Sequence, residues 1–335
     1  MSALLDPRQR PLRDLRISVI DRCNFRCPYC MPVERFGGPS AFMPKGDWLR
    51  PDEIERIARA FVALGVRKLR LTGGEPLLRA ELPEIVERLA RIEGVEDLAL
   101  TTNAVLLPKH AGILRRAGLK RLTISLDALN PEVFKRMSGG QGDVADVLAG
   151  VAAAEAAGFA RLKFNCVVQR GVNEDEVPAL AERFRGTPHV LRFIEYMDVG
   201  TCNRWSRADV VDSAELLARI GERWPLMPVG RSQAGEVAER YRYLDGRGEI
   251  GFISSVSAPF CGDCTRARVS ADGEWFTCLF ASQGVALRPL LEADDAALRA
   301  AIASRWSGRD DRYSELRAER EREAAARVEM FRMGG

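Results

Sequence analysis

VRKLRLTGGEPLLRAELPEIVERLARIEGVEDLALTT, residues 66–102, holds one complete repeat of the pattern on which this chain is built. VRKLRLT, Val66 to Thr72, is a short apolar-rich run of strand length. ELPEIVERLARIEG carries helical spacing, and DLALTT, ending at Thr102, reads as a strand again. Strand, helix and strand at this spacing are best served by parallel strands with a crossover helix.

The same unit recurs on both sides. Strands are predicted at LRISV (Leu15 to Val19), KRLTISLD (ending at Asp127), RLKFNCVVQ (from Arg161) and HVLRFIEYM (from His189). Helices are predicted at PDEIERIARAFVALG, PKHAGILRRAG, DVADVLAGVAAAEAAG and EDEVPALAERFRG. Pro51 suits a first helical turn, and Gly65 and Gly158 suit helix ends. About six βα units between residues 12 and 197 fit an open doubly wound sheet or part of a barrel. Periodicity does not choose between them. Past residue 205 one helix, Asp212 to Arg223, precedes strand-like text punctuated by Pro and Gly. Glu292 to Phe331 is strongly charged and predicts a solvated helix pair.

The chain has 335 residues, which suits about two domains. Hydrophobic residues at 46% and charged residues at 29% exclude a disordered, collagenous or disulfide-stapled chain. Lys plus Arg number 50 against 47 Asp plus Glu, a net +3, which argues against a nucleic-acid footprint but allows a local anion pocket. With only His110 and His189, a histidine-rich metal site is disfavoured. MSALLDPRQR has no signal-peptide character, and no run of about 18 apolar residues suggests a membrane span. A cytoplasmic protein with reduced thiols and no membrane partner is expected.

Six of the eight cysteines form two triads. Cys23, Cys27 and Cys30, in DRCNFRCPYCMP, follow the first strand with spacing C-x3-C-x2-C. Cys261, Cys264 and Cys278, in PFCGDCTRARVSADGEWFTCLF, have spacing C-x2-C-x13-C, and an Asp272-Gly273 turn can return Cys278 to the first pair. Structural zinc wants a fourth ligand, and neither triad has one nearby. A zinc knuckle borrowing Cys166 or Cys202 is the plainer option for the second triad. Cys166 reads better as a core strand residue and Cys202 as a loop thiol. An iron–sulfur cluster on three cysteines keeps one iron open to a small molecule. Gly73-Gly74-Glu75-Pro76 follows the second strand; taken alone it is an ordinary strand-to-helix turn, and it lacks the G-K-[ST] of a P-loop. Arg266 and Arg268 share a face if they lie on a strand, and suit phosphate oxygens; isolated surface arginines are the plainer reading.

C-x3-C-x2-C with an aromatic residue before the last cysteine, together with the glycine motif, resembles the radical S-adenosylmethionine (SAM) superfamily. LRISVIDRCNFRCPYCMP, LTGGEPLLR, TTNA, LTISLDAL, KFNCVVQRGVNEDE, RFIEYMDVG, GFISSVSAPFCGDCTRARVSADGEWFTCLF and the final Gly-Gly together resemble the molybdenum cofactor biosynthesis protein A family, GTP 3',8-cyclase. The resemblance implies an α/β fold, an incomplete (β/α)6 TIM-like barrel of the radical SAM type. A C-terminal α+β region closes its open side. Residues 1–220 would form the barrel, and 221–335 the auxiliary-cluster and GTP-binding region with its tail. It implies SAM and two [4Fe-4S] clusters, held by Cys23, Cys27 and Cys30 and by Cys261, Cys264 and Cys278. Tyr29, Gly73, Gly74, Glu75, Ser125 and Met197 match SAM-pocket positions. Arg16, Arg70, Thr101, Lys163, Arg266 and Arg268 match GTP-contacting positions. Arg266, Arg268, Gly334 and Gly335 would serve catalysis, the last two on a tail inserted in the site.

In the implied reaction a 5'-deoxyadenosyl radical takes hydrogen from C3' of GTP, and the C3' radical adds to guanine C8. Reduction then gives (8S)-3',8-cyclo-7,8-dihydroguanosine 5'-triphosphate. An external one-electron reductant and the cyclic pyranopterin monophosphate synthase that takes the product are implied partners; a homodimer is left open. Ile20, Ala104, Asp198 and Thr265 depart from the family's usual Thr, Gly, Pro and Asn. Two rivals stand beside this reading. A peptide-modifying maturase with an auxiliary cluster usually has more C-terminal cysteines. A zinc-stabilised RNA- or protein-binding module requires zinc and no SAM.

Overall fold

The computed structural model describes residues 4–231, 235–317 and 327–334. Its framework is one sheet. The strands are β1 (Asp14–Ser18), β2 (Lys68–Thr72), β3 (Asp97–Thr102), β4 (Arg121–Ser125), β5 (Lys163–Val168) and β6 (Val190–Glu195). They continue with β7 (Leu226–Pro228), β8 (Glu239–Tyr243), β9 (Glu249–Ile253), β10 (Arg266–Val269), β11 (Glu274–Phe276) and β12 (Val285–Ala286). The order across the sheet is β12-β11-β10-β1-β2-β3-β4-β5-β6-β9-β8-β7. β1 to β6 run parallel, joined by crossover helices, and β10 and β9 extend the parallel set beyond β1 and β6. Antiparallel strands then cover both flanks. β1 to β6 neighbour one another in chain order without the reversal of a doubly wound sheet, and residues of all six line one chamber, so the sheet curves as a barrel whose end strands do not pair.

Strand alternation explains the layers. Leu15 and Ile17, Leu69 and Leu71, Leu98 and Leu100, Leu122 and Ile124, Phe164 and Cys166, and Leu191 and Phe193 are buried in one continuous core. Helices cover that face. The alternate residues face inward, and they are polar: Arg16, Arg70, Thr101, Arg121, Lys163 and Arg192 line the interior. Helix Pro51–Ala63 starts at a proline, and the Glu53 carboxylate accepts from the Arg50 amide at 2.7 Å, so its first turn is capped.

Two sequence expectations meet these elements directly. Of the segment 292–331, expected as a solvated helix pair, the described part is not wholly solvated. Helix Asp295–Ser307 buries Leu298, Ile302 and Trp306, while Arg309 and Arg317 beyond it are also buried, each against a carboxylate. Charge there serves internal ion pairs as well as solvation. Residues 318–326 lie outside the described set. The division drawn at residue 220 falls inside helix Ser213–Arg223. Glu195 at the end of β6 binds across it, accepting from Ser213, and from the amides of Val256 and Ser257 at 2.8 Å. Among the described residues no helix is long and apolar enough to cross a membrane.

Candidate active site

The first triad lies on the loop leaving the C-terminal end of β1. The Cys27 carbonyl accepts from the Cys30 and Met31 amides at 3.0 and 2.8 Å, folding the loop into a tight turn. Burial pushes the Cys23 thiol up to about 12, and Glu75 adds to it. Burial raises Cys27 and Cys30 as well, and Cys23 and Cys30 both raise Cys27. These thiols stay protonated until a metal takes them as thiolates. Three soft sulfur donors without a nearby imidazole fit an iron–sulfur cluster. Among the described residues no His, Cys, Asp or Glu group closes tightly enough to hold one metal ion.

The glycine motif braces this loop. The Gly74 amide donates to Ile20 O and the Glu75 amide to Arg22 O, both at 2.8 Å. A Cβ on Gly73 would lie 2.3 Å from Ile20 O, and one on Gly74 only 2.1 Å from Arg22 O. Glu75 points inward: its carboxylate accepts from Thr102 Oγ1 (2.7 Å), the Asn103 amide (2.8 Å) and the Leu77 amide (3.0 Å). Burial pushes its carboxyl up to about 7 against those three bonds. Asn103 Nδ2 donates to Asn24 Oδ1 at 2.7 Å, joining the β3 end to the cysteine loop. Tyr29 donates to Asp127 Oδ2 at 2.8 Å. Ser125 ends β4, half-buried, and Met197 follows β6 and lines the interior.

The interior is a cationic chamber. Nine Lys and Arg side chains line it against four carboxylates. Register sets Arg268, Arg16 and Arg70 side by side on β10, β1 and β2. Arg70 Nη1 donates to Thr101 Oγ1 at 3.1 Å and Thr123 Oγ1 at 3.0 Å. Burial, then Arg192, Arg121 and Arg70, lowers Lys163 to about 7. Burial and cationic neighbours likewise lower Arg192 to about 9 and Arg268 to about 10. Arg192 Nε, Arg266 Nε and Asn165 Oδ1 are buried without a hydrogen-bond partner. Buried, mutually repelling cations with unused donors suit a polyanion.

The second triad occupies the other end of the chamber. Cys261 and Cys264 bound the 3-10 turn ahead of β10, and the Asp272–Gly273 turn leads β11 back so that Cys278 joins them in the chamber wall. β10 runs parallel to β1, so Cys264 lies at the N-terminal strand ends and the first triad at the C-terminal ends. Burial pushes Cys264 up, but Arg266 and Arg309 outweigh it and hold the thiol at about 6. Cys278 is pushed up to about 12 by burial, then by Asp311. This donor set also fits a cluster. Arg10, itself buried, donates to Cys261 O and Asp311 O at 2.8 Å, and pairs with Asp6.

The tail reaches the chamber from the C-terminal strand ends. Ser18 Oγ donates to Phe331 O at 3.1 Å. Arg268 Nη1 donates to Gly334 O at 2.8 Å, and Arg16 Nη1 does so at 3.4 Å. Gly334 has φ +66, and a Cβ there would lie 2.0 Å from Thr72 Cγ2, so only glycine fits. Gly335 lies outside the described residues.

Of the residues singled out by sequence, Arg16, Arg70, Thr101, Lys163, Met197, Cys261, Cys264, Arg266, Arg268 and Cys278 line this one chamber. Cys23, Cys27, Cys30, Tyr29, Gly73, Gly74, Glu75 and Ser125 belong to the loops and strand ends beside it. Sequence reading missed Lys68, Arg121, Arg192 and Arg309, which also line it. Strand alternation could have found Lys68 and Arg121, each two residues before an inward polar position. Of the departing residues, Thr265 donates to the Asp14 carboxylate at 2.5 Å and Ile20 is buried, whereas Ala104 holds φ +68, a left-handed backbone that glycine takes at less steric cost.

Residues 17–184 match the Radical SAM superfamily model and residues 189–315 the Molybdenum Cofactor Synthesis C model. A GTP 3',8-cyclase of Xanthomonas campestris pv. campestris is 60% identical over 97% of this chain and 96% of its own length. The GTP 3',8-cyclase of Acidothermus cellulolyticus is 56% identical over 93% and 88%, and that of Staphylococcus saprophyticus 44% identical over 94% of each. Among solved structures, Streptococcus suis SuiB bound to precursor peptide SuiA superimposes with a TM-score of 0.59 at 17% identity. It covers 91% of this chain and 66% of that one, a likeness of fold alone. Two family models side by side and near-full-length identity to several cyclases place the chain in the GTP 3',8-cyclase family of the radical SAM superfamily.

Proposed function

We propose that the chain converts GTP to (8S)-3',8-cyclo-7,8-dihydroguanosine 5'-triphosphate for molybdenum cofactor synthesis. The carrying observation is the cationic chamber with a three-cysteine loop at either end, in a chain 60% identical to a named cyclase. Cys23, Cys27 and Cys30 hold one [4Fe-4S] cluster, and Cys261, Cys264 and Cys278 the other. With SAM bound, the first cluster would supply a 5'-deoxyadenosyl radical by reductive cleavage, and the second would serve to bind the nucleotide.

This chain's residues bind and orient. Arg16, Arg70, Lys163, Arg266 and Arg268 neutralise the triphosphate, and Thr101 fixes Arg70 through its hydroxyl. Lys68, Arg121 and Arg192 add to that field. Tyr29, Ser125 and Met197 border the SAM pocket. Gly73, Gly74 and Glu75 hold the cysteine loop against β3. Fixing both ends of the nucleotide sets C3' against the radical carbon, which is catalysis by position. Gly334, held by Arg268 and Arg16, brings the tail to the chamber, and the Gly-Gly end serves catalysis as the family resemblance implies. An external one-electron donor and a downstream pyranopterin-forming enzyme complete the route, in the cytoplasm. The barrel of residues 1–220 carries the SAM site and residues 221–335 the auxiliary cluster; a homodimer is compatible with both.

Anaerobic reconstitution tests this. About eight iron and negligible zinc per chain are expected, with 5'-deoxyadenosine formed from SAM only when GTP and reductant are present. Zinc occupancy, or SAM cleavage indifferent to GTP, would overturn it.

A further inference from the structure

Asp198 is a buried carboxylate that the proposed reaction does not use. It follows Met197 on the loop after β6. Its partners come from both sides of residues 318–326. The Tyr313 hydroxyl donates to Asp198 Oδ2. Arg317 Nε donates to Oδ1 at 3.0 Å. Arg327 Nη1 donates to both the main-chain oxygen and Oδ2 of Asp198 at 3.0 Å. The Arg327 guanidinium lies 4.9 Å from the Tyr313 ring centroid. Tyr313 stacks on Phe280 at 4.3 Å, and the Phe280 amide donates to Cys278 Sγ at 3.5 Å. One carboxylate thus joins the loop after β6, the second cysteine triad and the start of the tail.

A second grip follows on the same loop. The Thr201 amide and hydroxyl donate to the Glu329 carboxylate at 3.3 and 2.9 Å. Gly200, at φ +76, permits this approach, since a Cβ there would lie 2.1 Å from Glu329 Oε2. The chain then turns through Met330–Met333, where Phe331 packs edge-on to Phe36 at 5.0 Å. It delivers Gly334 O to Arg268 and Arg16.

We infer that Asp198 is a positioning residue: by pairing with Arg317 and Arg327 it seats the C-terminal tail so that Gly334 meets Arg268 and Arg16. The physical reason is local. A buried carboxylate shared by two guanidinium groups is strongly destabilised by removing one partner, because charge is left uncompensated. Breaking it therefore releases the tail at its root and spares the barrel, whose core lies on the other face of the sheet. The inference rests on the tail's place in the proposed site, but its primary test needs no turnover.

Hydrogen–deuterium exchange by mass spectrometry on the purified full chain provides that test. In Asp198→Asn and in Arg327→Gln, amides of 327–334 should exchange at least about tenfold faster than in the parent, with β1 to β6 unchanged. Asp198→Glu should keep most of the protection. In reconstituted enzyme, Asp198→Asn should lower kcat by about tenfold or more without weakening GTP binding, since Arg16 and Arg268 lose a competing carbonyl. Unchanged tail exchange in both variants, or equal loss of protection in the barrel, would overturn the inference. Failure of the cyclase reading would leave the exchange result intact.

Discussion

Lys163 stands on β5 among Arg192, Arg121 and Arg70, and burial with those neighbours holds its ammonium at about 7. An anion entering the chamber favours the charged form and raises that value. GTP binding should therefore take up protons above pH 7. Affinity should be full below about pH 7 and fall as pH rises toward the bound-state value, by up to about tenfold per unit. Calorimetry in buffers of differing ionisation enthalpy reads the uptake directly, and Lys163→Met should abolish it. Glu75 gives a second residue-scale expectation. Both oxygens accept from protein donors, so Glu75→Gln sets an amide NH2 against an N–H or O–H. A loss of about 1–3 kcal/mol is expected, measurable by urea denaturation of the apo chain. Retained stability would show that these bonds matter little.

At the scale of elements, the glycine motif and the cysteine loop form one unit. Gly74 needs no unusual φ, so its requirement is purely steric. Gly74→Ala should drive the cysteine loop off β2, costing about 1–3 kcal/mol and lowering iron bound at the first site, while Gly46→Ala, with open space around it, should do neither. Iron content and melting temperature of both variants check this. The elements were largely legible. DLALTT was read as ending at Thr102 and β3 spans Asp97–Thr102, because alternation and turn signals are local. The helices Val33–Phe36 and Pro131–Met137 escaped notice, being too short to show a full period. Nor could the sequence show β10 beside β1 or β9 beside β6, since those pairings join segments far apart in the chain.

The whole molecule is an unclosed barrel with a soft-donor loop at each end of a cationic interior. The chemistry-bearing residue types were visible in their spacing. Their convergence was not, because it depends on register across eight parallel strands. Arg192 was hidden by the apolar Ile194 that follows it on the inward side of β6, Arg309 by lying past helix Asp295–Ser307 with no strand pattern to place it, and the clamp at Asp198 by partners more than a hundred residues away. The tail tests the assembly as a whole. Deleting Gly334 and Gly335 should leave both clusters in place and largely abolish cyclised product; full turnover by the truncated chain would refute the tail's role. The most direct measurement of the central claim follows hydrogen. With GTP deuterated at C3', the reconstituted enzyme, SAM and a reductant should place deuterium in 5'-deoxyadenosine and form cyclised nucleotide in equal amount. Deoxyadenosine free of deuterium, with both clusters intact, would contradict it.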